Sequence, residues 1–213
     1  MIDSDSPFFL AIEAAIGGGS VALARSGERI DGIIGGESRS RSEDVLPNID
    51  ALLLRNHIDR SEINKVVVSA GPGSFTGIRI GIATAYGLGD ALNVPVRPLS
   101  LLAAIALASG ESGQVLAALP VGRDNICVQR FIAEGELATA RSAPEASNFE
   151  RFIDMCRNHA ARSVVVSSSL FVRIPDDLQV AAIDIGSDLA WHLARFEHFL
   201  EEVSEPLFIG MSK

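Results

Sequence analysis

Residues 66–92 read VVVSAGPGSFTGIRIGIATAYGLGDAL, and the reading of this stretch decides the fold. The β-branched run at 66–68 predicts a strand, Gly71-Pro72-Gly73 a tight turn, and the pattern beyond it a long helix. Ser74 and Thr76 are both suited to cap the unpaired N–H groups at the start of that helix. A glycine turn ahead of a helix can hold an anion, so two phosphate-loop codes are worth testing against it. The dinucleotide fingerprint fails, because the sixth place counted from Gly71 is Thr76 and the next strand, 94–97, brings no ribose-binding acid. The Walker loop fails because Gly77 is followed by Ile78-Arg79 instead of Lys and Ser or Thr.

Inside the helix, Gly77, Gly81, Ala85 and Gly89 recur at every fourth position. Each interior glycine costs about 1 kcal/mol against alanine, so something must offset it. Residues four apart share a ridge, and a ridge without side chains is a groove into which another segment can come close. Two readings stay open: the helix presses on its own sheet, or the groove receives a partner.

Working outward, 8–13 and 20–24 read as strands around Gly17-Gly18-Gly19, and 30–35 as a third. Apolar Val45, Leu46, Ile49, Leu52 and Leu53 follow helical spacing, with Ser42 as a cap, Glu43 and Asp44 at the positive end and Pro47 disturbing the first turns. A short strand near 95–98 and a helix over 100–108 close this half. The second half repeats the order: strands at 114–120, 125–133 and 136–142, a helix over 147–159, a strand at 163–168 and a helix over 187–202. Three strands followed by crossover helices build a mixed sheet covered by helices. The expectation is an α/β protein of two related lobes, 1–99 and 100–213, with no low-complexity linker between them.

The chain has 213 residues, 47% of them hydrophobic, which is ample for a buried core. A net charge of −9 and a pI near 4.9 argue against a broad nucleic-acid footprint, which needs clustered Lys and Arg. Cys127 and Cys156 form no CxxC pair and read as buried thiols. Asp3 and Asp5 precede an apolar run that Glu13 interrupts, unlike a signal peptide, and the run at 99–108 is too short to cross a bilayer. A cytoplasmic protein away from membranes is expected. His57, His159, His192 and His198 include no pair three or four apart, and Ser167-Ser168-Ser169 lack the Gly-x-Ser-x-Gly elbow, so neither a metalloprotease nor a serine hydrolase is indicated.

The run Gly71-Pro72-Gly73-Ser74-Phe75-Thr76-Gly77-Ile78-Arg79-Ile80-Gly81, with Ala83-Thr84-Ala85 and Gly87-Leu88, resembles the bacterial TsaB family, also called YeaZ. Support extends to Ser42-Glu43, to Leu46-Pro47-Asn48-Ile49-Asp50 with Leu52-Leu53, and to Ser20-Val21-Ala22-Leu23. The resemblance covers residues 8 to about 100 well and the second half loosely. It implies an actin-like, hexokinase-like (ASKHA) fold of two ribonuclease-H-like lobes, each with a mixed sheet and flanking helices. It also implies a non-catalytic role in threonylcarbamoyladenosine modification of tRNA. The expected partner is TsaD as a heterodimer, with TsaE and tRNA reached through the complex and a homodimer when the chain is alone. Family members pair through helices corresponding to 43–56 and 75–92, which nominates Leu46, Ile49, Asp50, Leu53, Gly77, Gly81, Ala85 and Gly89 as interface residues, with Arg39, Arg41 and Arg79 as possible anchors for acids.

Where the family has an Asp-Thr-Ser run after the first strand, this chain has Glu13-Ala14-Ala15. Phosphate donors are lost and the carboxylate is longer, so no catalytic residue, cofactor or metal is expected. Tyr86 stands where lysine is common, and Gly122-Arg123 matches the second-lobe motif in part. The alternative is a nucleotide phosphotransferase or hydrolase of the same fold, using residues 71–77 as a phosphate loop.

Overall fold

A computed structural model describes residues 6–36, 41–122, 124–158, 163–179 and 182–208, excluding the side chains of 41–43. Arg39, Arg123 and His159, and the side chains of Arg41, Ser42 and Glu43, lie outside the described residues. In the first half, β1 (Phe8–Glu13), β2 (Ser20–Arg25) and β3 (Glu28–Ile34) precede α1 (Arg41–Arg55). Then come β4 (Ile63–Ser69), α2 (Phe75–Leu92), β5 (Val96–Leu99) and α3 (Leu101–Ala108). The second half runs β6 (Gly113–Val121), β7 (Asn125–Glu134), β8 (Leu137–Ala140), β9 (Glu145–Asn148) and α4 (Phe149–Asn158). It ends with β10 (Ser163–Val166), two one-turn helices α5 (Ser168–Phe171) and α6 (Asp176–Gln179), β11 (Ala182–Asp184) and α7 (Leu189–Phe196).

Among the described residues the strands form two mixed sheets, one ordered β3-β2-β1-β4-β5 and the other β11-β10-β6-β7-β8 with β9 also on β7. In the first, β1 runs antiparallel to β2 and parallel to β4, and β4 runs parallel to β5. Every strand of the first sheet lies before residue 100 and every strand of the second after it.

Period-two alternation assigns the faces. Leu10, Ile12, Val66 and Val68 point to one side of the first sheet, where Ile49 and Leu52 of α1 and Ala85 of α2 cover them. Phe9, Ala11 and Val67 point to the other side and share a core with α3, α7 and the inner face of the second sheet, including Val115, Ala117 and Val165. The outer face of the second sheet, Leu116, Ala118, Val164 and Val166, is closed by Phe152 of α4 and Leu170 of α5. Helices α3 and α7 therefore lie between the sheets. This double burial explains why FFLAI and VVV are apolar at successive positions instead of alternating.

The expected final helix over 187–202 is corrected by the structure. It stops at Phe196, turns through a 3-10 segment at Glu197–Phe199, and continues extended. Glu197 supplies the reason, because its carboxylate is wholly buried against Lys65 (Oε1, 2.6 Å) and Arg97 (Oε2, 2.6 Å) of the first sheet. Arg97 also donates to the backbone oxygens of Glu197 and Leu200 and to the Glu202 carboxylate (2.9 Å). Beyond that point Glu202 bridges Leu99, Val203 N donates to Pro98 O (2.9 Å), and Leu207 N donates to Ala70 O (2.8 Å). The segment is a strap along the open edge of β5. Pro47 sits within α1 and the helix continues through it. Elements β9, α5, α6 and β11 are too short to leave a period in the sequence.

Candidate docking face and the glycine turn

At the start of α2, Ser74 is the N-cap, and its Oγ accepts from Gly77 N (3.1 Å). Ser74 N donates in turn to Ala15 O (2.9 Å). The turn is therefore seated on the loop that follows β1. A Cβ on Gly73 would fall 2.4 Å from Ala15 Cβ, and one on Gly77 would fall 2.1 Å from Ala14 O. Gly73 and Gly77 thus pack directly on Ala14 and Ala15, where a side chain would collide. Glu13 is 1% exposed, and its Oε1 accepts from Ala15 N (2.5 Å) and Ile16 N (2.9 Å). That carboxylate caps its own loop, which is the strand-end role favoured by the sequence.

The same contacts decide between the two readings of the small-residue ridge. Gly77, Gly81, Ala85 and Gly89 are all buried within this chain. Gly81 approaches Ala14 Cβ and Val68 Cγ2, and Gly89 approaches Val96 Cγ2. The groove is occupied by β4, β5 and the loop after β1, and the glycines let α2 lie close on its own sheet. Ile49 and Leu53 are likewise buried in the core under α1. Of the eight nominated interface residues Leu46 and Asp50 face solvent, whereas Ile49, Leu53, Gly77, Gly81, Ala85 and Gly89 are buried within this chain.

What α1 and α2 do expose is a different set. Leu46 (50%) and Leu54 (78%) stand outward on α1, and Phe75 (39%) and Tyr86 (47%) stand outward on α2. The two helices pack side by side. On α2 the outward positions 75, 79, 83, 86 and 90 follow helical spacing. Arg79 stacks its guanidinium over the Phe75 ring, 5.2 Å from the centroid, and makes no ion pair among the described residues. Asp50 pairs with Arg60 (2.6 Å). The sequence carries a signal for this exposure: Leu54 and Tyr86 fall out of phase with the buried stripes.

A second feature is an open cleft of about 250 Å³ lined by Ala15, Ile16 and Gly17 of one lobe and Pro120, Gly122, Ser169 and Arg173 of the other. Among the described residues no three His, Cys, Asp or Glu come together as a metal site, and no helix is long and apolar enough to cross a membrane. His192 is buried on α7, where Nε2 meets Ile185 O (2.8 Å), and burial lowers its proton affinity. Trp191 packs against the central core, as expected. Ser167 holds the N-cap position of the one-turn helix α5 without a side-chain capping bond, and its Oγ meets Ser169 Oγ (3.2 Å).

The family described as TsaD, tRNA N6-adenosine threonylcarbamoyltransferase, matches residues 30–176. The tRNA threonylcarbamoyladenosine biosynthesis protein TsaB of Haemophilus influenzae is 32% identical over 128 residues, covering 59% of this chain and 54% of that protein. TsaB of Buchnera aphidicola subsp. Baizongia pistaciae is 47% identical over 51 residues, or 24% of this chain and 23% of that one. The matches thus span about half or less of the length of these curated relatives. Among solved structures, YeaZ from Pseudomonas aeruginosa superposes with a TM-score of 0.68 at 22% identity, covering 96% of this chain and 100% of that chain. The two mixed sheets with flanking helices are the two-lobed actin-like fold.

Proposed function

Because this chain belongs to the TsaB (YeaZ) branch of the tRNA N6-adenosine threonylcarbamoyltransferase family, we propose that it is a non-catalytic docking subunit of threonylcarbamoyladenosine biosynthesis. It pairs with a TsaD-type transferase through the outer faces of α1 and α2. The observation that carries this reading is the exposure of Leu46 and Leu54 on α1 and of Phe75 and Tyr86 on α2, two helices that pack side by side and bury their inner residues in the core. Large exposed apolar residues grouped on a rigid face mark interaction surfaces, with aromatic residues as the usual anchors. TsaE and tRNA are met through the complex, in the cytoplasm, and the same face pairs two copies when the transferase is absent.

The absence of chemistry in this chain is supported by what its loops already hold. Glu13 accepts from Ala15 N and Ile16 N, and the glycine turn packs closely on Ala14 and Ala15. The alternative, a nucleotide phosphotransferase or hydrolase, draws on the interlobe cleft, where Arg173 is the charged group among the described residues of the wall. Calorimetry with ATP and magnesium distinguishes the two, since the docking reading expects no heat of binding from the isolated chain.

The docking test is co-expression with the TsaD of the same genome in cells that depend on the pair. Wild-type chain is expected to co-purify with the transferase and to sustain threonylcarbamoyladenosine in digested tRNA. Leu54→Asp combined with Tyr86→Asp should abolish both while leaving the melting temperature of the isolated chain unchanged. Undiminished modification with the double variant would remove the assignment.

A further inference from the structure

The docking face does not end with α2. The strap over 200–208 is held along β5 by Arg97 and by backbone bonds at Val203 and Leu207, and it finishes on the turn that starts α2. There the carbonyl oxygen of Leu207 lies against Gly71, 2.8 Å from where a Cβ would stand. The next residue, Phe208, sets its ring 4.9 Å from that of Phe75, tilted by 58°. Arg79 covers Phe75 from one helical turn further on. Phe208, Phe75 and Arg79 thus form one stacked unit at the N-terminal end of the α2 face. Both rings keep 39% of their surface exposed.

We propose that this unit, built jointly by the chain's C-terminal segment and α2, is an anchor point of the docking face and receives an acidic side chain of the transferase subunit. The proposal rests on the docking reading above and extends its surface to a segment remote in sequence. Three observations argue for it. The unit is continuous with the Ala83 and Tyr86 positions along α2. Its guanidinium is held over the exposed Phe75 ring and makes no ion pair among the described residues, a cation positioned where an acidic group of a partner would meet it. The strap spends backbone hydrogen bonds to deliver a large aromatic to a half-exposed position, where a pre-ordered ring loses little freedom on binding.

The test is titration of the purified TsaD-type subunit of the same genome into this chain at two salt concentrations. Phe208→Ala and Arg79→Gln are compared with wild type and with Tyr86→Asp, each first checked by thermal melting. Phe208→Ala is expected to weaken binding about tenfold, the loss typical of an interface aromatic anchor. Phe208→Tyr should restore it, and Arg79→Gln should reduce the salt dependence of the affinity. If Phe208→Ala binds as wild type while Tyr86→Asp does not, the anchor is overturned and the two-helix face stands. If neither variant loses affinity, the docking reading itself falls, and the anchor with it.

Discussion

Gly77 and Gly81 are one helical turn apart and look alike in the sequence, yet their surroundings give opposite expectations. A Cβ at Gly77 would stand 2.1 Å from Ala14 O and 2.7 Å from Ala15 Cα, which forces backbone to move. Gly77→Ala is therefore expected to cost about 3 kcal/mol, at the upper end of overpacking penalties, read as a shift in urea midpoint. At Gly81 the nearest atoms are 3.4 Å and 3.6 Å away, both side-chain carbons in ordinary contact. Gly81→Ala should be tolerated and should recover up to about 1 kcal/mol of helix propensity. Bulky residues at Gly81 or Ala85 would thus report on the fold of this chain before they report on any partner. The two thiols make a second expectation at this scale. Burial pushes Cys127 up to about 12, with the Glu145 charge adding to it, and Cys156 up to about 11. Cys127 should react with a thiol reagent at pH 8 only after unfolding, whereas half-buried Cys156 should label slowly in the native protein; rapid native labelling of Cys127 would contradict its buried place on β7.

At the level of elements, most of the first half could be read directly. The strand at 66–68 and the capped helix from Ser74 are where local rules of period and capping put them, and so are Val45, Ile49, Leu52 and Leu53 of the α1 stripe; α1 itself starts at Arg41, so Ser42 lies inside it instead of capping it, and Leu46 faces outward. What the sequence withheld is which neighbour a face meets. A ridge of small residues says that something approaches closely, and only the three-dimensional register says that it is Ala14, Val68 and Val96 of the same chain. The end of the final helix is set by a neighbour too. A buried ionic contact with residues 100 and 132 positions away ends it. A smaller ionic contact, Asp31 with Arg55, joins β3 to the end of α1. Hydrogen bonding from Arg55, reinforced by Asn56 against the opposing effect of burial, holds the Asp31 carboxyl down to about 2. Its contribution is present above the ordinary value of 3.8 and fades only as pH falls towards 2; half-exposed as its arginine is, the pair adds little.

For the whole molecule the decisive contact is Glu197. Burial opposes its ionisation, but the hydrogen bond and charge of Lys65, the hydrogen bond from Arg97 and the charge of His198 outweigh that and hold its carboxyl below the ordinary 4.5. The folded value lies below the unfolded one, so the stabilisation is in force above pH 4.5 and is lost as pH falls through the folded value. Glu197→Gln should cost about 3 kcal/mol at neutral pH, because Lys65 and Arg97 are left without their buried counter-charge. The gap between variant and wild type should narrow as the solution is acidified below pH 4.5. Melting curves across that range check both the size and the sign.

That contact and α7 together have a consequence for how the protein is made. The first sheet is complete in strands once residue 99 has been synthesised, but the apolar face bearing Phe9, Ala11 and Val67 waits for α3 and α7, and the β5 edge waits for the strap. On the ribosome the amino-terminal lobe must therefore spend roughly the last half of translation with one face uncovered. A nascent chain stalled at residue 99 is expected to be protease-sensitive and bound by chaperones, whereas one stalled with residue 208 clear of the exit tunnel should resist digestion. Protection appearing already at residue 99 would mean that the lobe closes without its carboxy-terminal cover.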